Sequence, residues 1–530
     1  MNKKNCLTLT GITLFYLMIS FFYFRISDIA HCDGYWYLKL AENIAKGHGL
    51  IENIVLYFYP KLPILDKFPH PVGVYWNPLN SIILSGIYKI FGISEFTSRL
   101  GVLIIDGLVV FFMYFLCIKL YPDNKWIAFF SSVIFIIHPF TLGMRGLSGM
   151  PESYDLFFIT MFCYFLYKSI TINEKYFLLS GLLGGLSYLS RNEGLWTFPT
   201  MILTFLSVKY IIKNNQNINW KMLVLGILIF LITISPWEIR NRILFGNQAN
   251  IMKKNLLLTT EYFDIWKYGK VFSFKEYISS GFTNIILRRI ASFYYKSITF
   301  MDILTWPLGL FLLWGVAGDI KNLLFLPAYI YLLLTYVGIS ILFPASQYSA
   351  FHSPGTLLVF FIILSISGIF NFSSAITKNE KKAKFLGMVI SFLLISFYIS
   401  GHLKSYKDFN GTFYNKNKAI SQIIYNFAEK NNALDDVFMI HDPPRFHYYT
   451  NIKMVQTPMD EDWNTIKDAI KRYNCKYLIL IGTIPQFFSS LYEGEKNYPE
   501  LELVYEEKTK FVIPVTGGSD KIKIYKINLQ

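Results

Sequence analysis

Asp33 opens the first part of the chain whose residue types and spacing could do chemistry. It follows the hydrophobic run Leu7–Phe24 and the segment Arg25-Ile-Ser-Asp28-Ile-Ala-His31-Cys-Asp33. After it, Tyr37, Leu40, Ala41, Ile44 and Ala45 recur at helical spacing, with Lys39, Glu42, Asn43 and Lys46 on the opposite face. An amphipathic helix of this kind lies in a membrane interface rather than crossing it. It can therefore hold a carboxylate at the mouth of a cavity inside the membrane. Two roles are open to Asp33 on this evidence: capping the helix that Gly47 and Gly49 end, or taking a proton from a reacting group within hydrogen-bond reach.

Cationic groups that could meet an anion follow later. Arg191, in Ser190-Arg-Asn-Glu-Gly194, and Arg240 and Arg242, in Ser235-Pro-Trp-Glu-Ile-Arg-Asn-Arg242, lie at the ends of hydrophobic runs. Guanidinium forks match phosphate oxygens and stabilise charge that develops in a transition state. Lys253, Lys254, Lys267, Lys270, Arg288, Arg289 and Lys296 read better as a solvated or headgroup-facing basic surface, and Glu193 as an ion-pair partner for Arg191. Glu152, with Asp155 one turn on, starts a span after Gly146-Leu-Ser-Gly-Met-Pro151. It suits the helix dipole there or the mouth of a site, and such a carboxylate pair could hold a divalent cation. His31, His70, His138 and His352 fall near span ends, where a lone histidine is usually an interfacial hydrogen-bonding residue. His352 is retained because it opens a span facing the expected cavity.

The elements that must position these groups are membrane helices. The 530 residues are 53% hydrophobic and 18% aromatic but only 16% charged, which excludes a soluble enzyme. Apolar runs give about eleven spans, near 7–24, 96–120, 126–142, 153–170, 176–190, 195–212, 222–239, 302–318, 322–342, 354–372 and 385–402. Lys3 and Lys4 precede the first run with no small-residue cleavage site after it, so a retained signal anchor with a cytoplasmic amino terminus is expected. The loops this places inside are rich in lysine, as the positive-inside rule requires, and the net charge of +15 fits them. Nothing points to nucleic acid. The five cysteines have no metal-ligand spacing, although Cys32 and Cys475 would lie on the same side and could pair.

Three longer regions fall outside: 25–95, 240–301 and everything after about 403. In the first, Pro78–Gly92 reads as a second interfacial helix, too short and interrupted to span. Beyond Ser405, helix-like stretches (Lys416–Lys430, Asp460–Tyr473) alternate with strand-like ones (Val437–Ile440, Lys453–Gln456, Lys476–Ile481, Leu501–Tyr505, Ile522–Ile527). The fold class is thus a polytopic α-helical membrane domain, 1–403, followed by a small extracytoplasmic α/β domain, 404–530. His441–Tyr449 in the latter follows a strand end, a usual place for ligand contacts in α/β folds, but reads better as a proline-stabilised turn whose aromatics pack on the membrane part.

The order of spans, Asp33-x-x-x-Tyr37-x-x-x-Ala41 ending at Gly47-His-Gly49-Leu50, Pro78-Leu79, Ser190–Gly194 and Ser235–Asn241 together resemble the integral-membrane glycosyltransferases of the GT-C fold. Within these, the chain looks most like the protein-mannosyltransferase-related branch that includes aminoarabinose and Rgt-type transferases. The resemblance covers residues 1 to about 403. It implies transfer of a sugar from a polyprenyl-phosphate donor to a glycan, lipid or protein acceptor on the outer face, with inversion and with the first outer-loop aspartate as general base. No cofactor is implied with certainty. The chemistry is coherent: an acceptor hydroxyl is a poor nucleophile near neutral pH, and a carboxylate must take its proton as the bond forms. The expected site has Asp33 as base, Arg191, Arg240, Arg242 and His352 at the donor phosphate, and Glu152, Tyr37 and His70 at the mouth. Ala350–Thr356 lacks the Arg-Tyr pair common before this late span in related transferases, and the Trp-Trp-Asp motif of oligosaccharyltransferases is absent. The alternative from another class is a transporter or flippase of lipid-linked glycans.

Overall fold

The computed structural model describes residues 3–30, 32–58, 61–73, 76–146, 149–212, 218–249, 255, 257–342, 354–408, 416–482, 484–508 and 521–529. His31, Lys253, Lys254 and His352 lie outside these residues. The first part of the chain runs through helices α1 (Lys3–Ile26) and α2 (Cys32–Ala45), three two-residue strands, β1 (Ile51–Glu52), β2 (Ile54–Val55) and β3 (His70–Pro71), and helices α3 (Leu79–Phe91) and α4 (Glu95–Leu120). Helices α5 (Lys125–Ile137), α6 (Pro139–Gly146), α7 (Glu152–Thr171), α8 (Tyr176–Ser190), α9 (Thr197–Leu206) and α10 (Trp220–Phe245) follow.

Each apolar run expected to span coincides with helix, but not all are long and apolar enough to cross alone. Among the described residues, six helical segments meet that test, or up to eight when the bent pairs α5/α6 and Phe282–Leu304/Trp306–Asp319 each count as one span. The rest fall short for local reasons: α8 has 15 residues and α7 carries Glu152 and Asp155 in its first turn. Helix Leu358–Ile376 lies at the centre of the bundle, with every residue from Leu358 to Phe370 buried. By contrast, α10 exposes Leu228, Ile232 and Ile239, as a lipid-facing helix must.

Small residues and buried charges tie the bundle together. A Cβ on Gly181 of α8 would lie 2.0 Å from the Gly226 carbonyl oxygen of α10, so the two backbones meet only because both positions lack side chains. Pro236 interrupts α10 and withholds the amide that the Ile232 carbonyl would accept; the Ser235 hydroxyl donates to that carbonyl instead, at 2.9 Å. In the core, Arg145 Nε is 3.3 Å from Asp106 Oδ2, its Nη1 donates to the Ile136 carbonyl, and its guanidinium lies 4.6 Å over the Tyr16 ring. One pair thus joins α1, α4, α5 and α6. At the exit of α1, Arg99 donates to the Ser27 hydroxyl and carbonyl, both at 3.0 Å, fixing where the chain leaves for α2.

The carboxy-terminal region forms a sheet in the order β2-β5-β4-β6-β8-β7, with β4 (Val437–Ile440), β5 (Lys453–Gln456), β6 (Cys475–Leu480), β7 (Leu501–Lys508) and β8 (Lys521–Ile527). The first four strands are parallel; β8 and β7 close the edge antiparallel. Its outer strand comes from the segment between α1 and α4: Ile54 and Val55 pair with Met454 and Val455. The same segment supplies Trp36, Tyr37, Leu40 and Val72 to a core shared with Ile420, Phe446 and Met454. An Arg472–Asp66 fork, at 2.7 and 3.2 Å, adds a further tie. Helix Pro443–Thr450 stands where a turn is expected, and its Tyr448 and Tyr449 pack on Tyr35 of α2. Cys475 is a free, buried thiol, and the side chain of Cys32, its possible partner, lies outside the described residues.

Replacing one member of the Asp106–Arg145 pair leaves the other charge buried alone, a cost on the order of 3–5 kcal/mol. Arg145→Met is therefore expected to lower the melting temperature and monodisperse yield of detergent-extracted protein sharply. The double variant Asp106→Leu/Arg145→Met is expected to recover most of that loss.

Candidate active site

Helix α2 is pressed against the turn that leads into α7. A Cβ on Gly149 would lie 2.2 Å from the Gly34 carbonyl oxygen, and one on Gly34 would lie 3.3 Å from Met150 Sδ. Only glycines at 34 and 149 allow this backbone contact. It brings the first turn of α2, with Asp33, beside the loop that ends at Glu152.

Glu152 is buried and accepts from Arg191 Nη1 at 2.7 Å, while Arg191 Nη2 donates to Glu193 Oε1 at 2.9 Å. The guanidinium is thus held between two carboxylates, with Arg191 Nε buried and lacking a hydrogen-bond partner among the described residues. Tyr37, one turn on from Asp33 on the same face, is buried and feels the charges of Arg191, Asp33, Glu152 and Glu193. Burial, the largest effect, keeps its phenol protonated well above the usual range. Deeper in the bundle, the Ser187 hydroxyl donates to Asp155 Oδ1 at 2.6 Å.

Helix α3 positions both halves of this cluster. Asn80 and Ser81 lie in its first turn, and Asn77 just precedes it. The Ser81 hydroxyl donates to the Tyr37 carbonyl at 2.9 Å. Asn80 exchanges hydrogen bonds with Ser190, the residue before Arg191, at 3.2 and 2.8 Å. Asn77 donates to the Tyr188 carbonyl and accepts from Trp237 Nε1 at 3.1 Å. The Tyr188 hydroxyl donates to Glu238. The Pro78, Ser190–Gly194 and Ser235–Asn241 motifs are therefore one hydrogen-bonded unit.

Among the expected site residues, Asp33, Tyr37, Glu152 and Arg191 come together, with Glu193 as a fifth member. Arg240 instead donates to the carbonyls of Val72 (2.7 Å) and Leu50 (3.3 Å) and to Asn241 Oδ1 (3.0 Å), holding the ends of the segment that contains β1 to β3. Arg242 is exposed and donates to the Gly246 carbonyl at its own helix end. His70 is buried in the β1–β3 pair, with Nε2 3.0 Å from the Ile54 carbonyl and Nδ1 3.8 Å from Glu52. No cluster of three or more histidine, cysteine, aspartate or glutamate side chains suited to a metal occurs among the described residues. Sequence reasoning missed Asn80 of α3 and Asn77 just before it; their signal was amide side chains three residues apart at the entry to an apolar helix.

Glu52 was also missed. It accepts from Trp36 Nε1 at 2.5 Å, and its Oε1 has no hydrogen-bond partner among the described residues. It borders a water-sized cavity with Lys39, Asn43 and His447.

Comparison with known proteins bears on this geometry. Residues 70–239 match the model of the dolichyl-phosphate-mannose-protein mannosyltransferase family. ArnT from Cupriavidus metallidurans, crystallised bound to undecaprenyl phosphate, is similar in fold at 11% identity and a TM-score of 0.55 over 98% of each chain. The archaeal oligosaccharyltransferase AglB from Archaeoglobus fulgidus, in complex with an inhibitory peptide and a dolichol-phosphate, gives a TM-score of 0.52 at 12% identity. That alignment covers 90% of this chain and 69% of AglB. No curated protein sequence gives a significant match.

Burial raises the Glu52 carboxyl to about 8 from an ordinary 4.5. The folded protein then keeps a proton that the unfolded chain gives up, so stability falls as pH rises from about 4.5 towards 8. Burial lowers His70 from 6.5, so it works in the opposite sense, below pH 6.5. Melting temperatures between pH 6.5 and 8.5 are expected to fall for the native protein and to lose most of that slope in Glu52→Gln, which keeps an acceptor for Trp36.

Proposed function

We propose that this chain, whose fold is that of the GT-C membrane glycosyltransferases, transfers a sugar from a polyprenyl-phosphate-linked donor to an acceptor on the outer face of the membrane. The observation that carries the proposal is the backbone contact of Gly34 with Gly149, which sets Asp33 beside the Glu152–Arg191–Glu193 ion pair. A base and a cation at one site are what a displacement at an anomeric carbon requires.

In this mechanism the acceptor hydroxyl oxygen attacks the anomeric carbon as the bond from that carbon to the phosphate oxygen breaks. A single displacement inverts the centre. Asp33 takes the hydroxyl proton, and the carrier leaves as polyprenyl phosphate with its charge next to Arg191. Glu152 and Glu193 hold the guanidinium in place before substrate arrives, so little reorganisation is needed during the reaction. Tyr37, neutral and buried, helps to form the floor of the mouth. A divalent cation at Glu152 would have to compete with Arg191, 2.7 Å away.

The lysine-rich loops support an orientation with the amino terminus in the cytoplasm and the carboxy-terminal domain outside. That places α2, α3 and the sheet on the acceptor side.

The test is a mass-spectrometric comparison of surface glycolipids and glycoproteins from deletion cells carrying the native protein or Asp33→Asn at matched expression. Loss of one sugar in both the deletion and the variant is expected, since removing a general base costs about 10²–10⁴-fold in rate. A variant that restores the native profile removes Asp33 as the base and favours carrier movement instead.

A further inference from the structure

Asp28 lies at the exit of α1, five residues before Asp33, and takes no part in the cluster around Arg191. Its Oδ1 accepts from the Tyr35 hydroxyl and from the Ile29 amide, both at 2.8 Å, and its Oδ2 accepts from Asn417 Nδ2 at 2.5 Å. The Asp28–Tyr35 bond closes a short loop of backbone that contains Asp33.

The outer side of that loop is held by the carboxy-terminal domain. Tyr35 is fully buried, with the rings of Tyr448 and Tyr449 at 5.4 and 5.6 Å and its hydroxyl 3.4 Å from that of Tyr449. Asn417, on helix Lys416–Lys430, directs its amide nitrogen at Asp28 and at the Tyr35 hydroxyl (3.3 Å). Its amide oxygen accepts from Arg445 Nη1 at 3.4 Å, and Arg445 is paired with Asp442 at 2.8 Å. These partners leave one orientation for the amide. On α2, Tyr35 and Asp33 are two residues apart and so point to opposite faces, whereas Tyr37 shares the face of Asp33. The first turn of α2 is thus gripped on one side by Gly149 and on the other by Asn417 and Tyr449.

We infer that Asn417 and Tyr449 of the carboxy-terminal domain, acting through Asp28 and Tyr35, are positioning residues that set the height and direction of Asp33. The inference rests on the catalytic role proposed for Asp33. It assigns the outer domain a share in the rate of the reaction at the membrane mouth, delivered through a hydrogen-bonded latch. A displacement of about 1 Å at a reacting group can cost about 100-fold, so the latch affects turnover more than donor binding.

An exchange of the two side chains tests this in the full-length protein in proteoliposomes. Asn417→Asp sets two carboxylates against each other; Asp28→Asn sets two amide NH2 groups against each other, because Tyr35 and Ile29 keep the oxygen of residue 28 as their acceptor. In the double variant Asp28→Asn/Asn417→Asp the amide of residue 28 donates to a carboxylate that Arg445 also contacts, and the latch reforms with its polarity reversed. With an extract of polyprenyl-phosphate sugars as donor, each single variant is expected to lose about 10- to 100-fold in kcat with donor KM nearly unchanged. The double variant is expected to return most of the loss. Hydrogen exchange follows the same samples: peptides across 29–37 lose protection in the singles and regain it in the double, while β4 and β6 stay protected. Unchanged kcat in both singles, or a double variant no better than either, overturns the inference. If the native protein transfers no sugar from the extract, the proposed function fails and exchange alone decides the latch: unaltered protection across 29–37 in both singles overturns it.

Discussion

A guanidinium enclosed by helix ends at a membrane boundary must be matched by anions, and Arg191 is matched twice, by Glu152 and Glu193. Taking such charges out of water costs several kcal/mol per ion, recovered only when geometry and hydrogen bonding are good. Much of the surrounding structure serves that condition. Asn80 and Ser190 fix the residue before Arg191, Asn77 holds the Tyr188 and Trp237 ends of α8 and α10, and Gly149 lets α2 close over the pair. The result is a cation held rigid at the place where an anionic leaving group would need it.

The carboxy-terminal sheet is not self-contained. Its edge strand β2 and part of its core come from the segment that carries Asp33 and Tyr37. Asp460 accepts the amides of Tyr268 and Gly269, so the stretch before helix Phe282–Leu304 is also tied to it. Parallel strand pairing and shared apolar burial are cooperative, and displacement of the sheet as a body would strain α2 directly. A membrane-interface helix that is short and amphipathic has little stability of its own; here tertiary contacts on both faces supply it.

Arginines near span ends looked alike in sequence and differ in place. Arg240 has five N–H donors and sits where the carbonyls of Leu50 and Val72 need partners, so it binds backbone. Arg242, two residues on, points to the opposite side of α10 and meets only the helix end. Arg191 lies at the break between α8 and the following turn, where the chain folds back towards α7 and its carboxylate. Which of three guanidiniums faces the cluster is set by helix phase and by the loops that pass each one.

The sequence alone determined the helical membrane class, the place of each apolar run, and the two short helices α2 and α3, because these follow from local hydrophobic period and length. It also determined β4 and β5 to the residue, each a short run around apolar residues, Val-Phe-Met-Ile and Met-Val, between turn signals. Tertiary structure decided the rest. The joining of Asp33, Tyr37, Glu152 and Arg191 depends on a contact between Gly34 and Gly149, which are far apart in the chain and carry no side-chain signal. The entry of Ile54–Val55 into the distant sheet was equally hidden: a two-residue strand has no periodicity of its own, and backbone pairing with Met454 and Val455 is created only when the chain ends meet. Local pattern encodes elements, whereas the partner of a buried charge or an edge strand is a property of the packed whole.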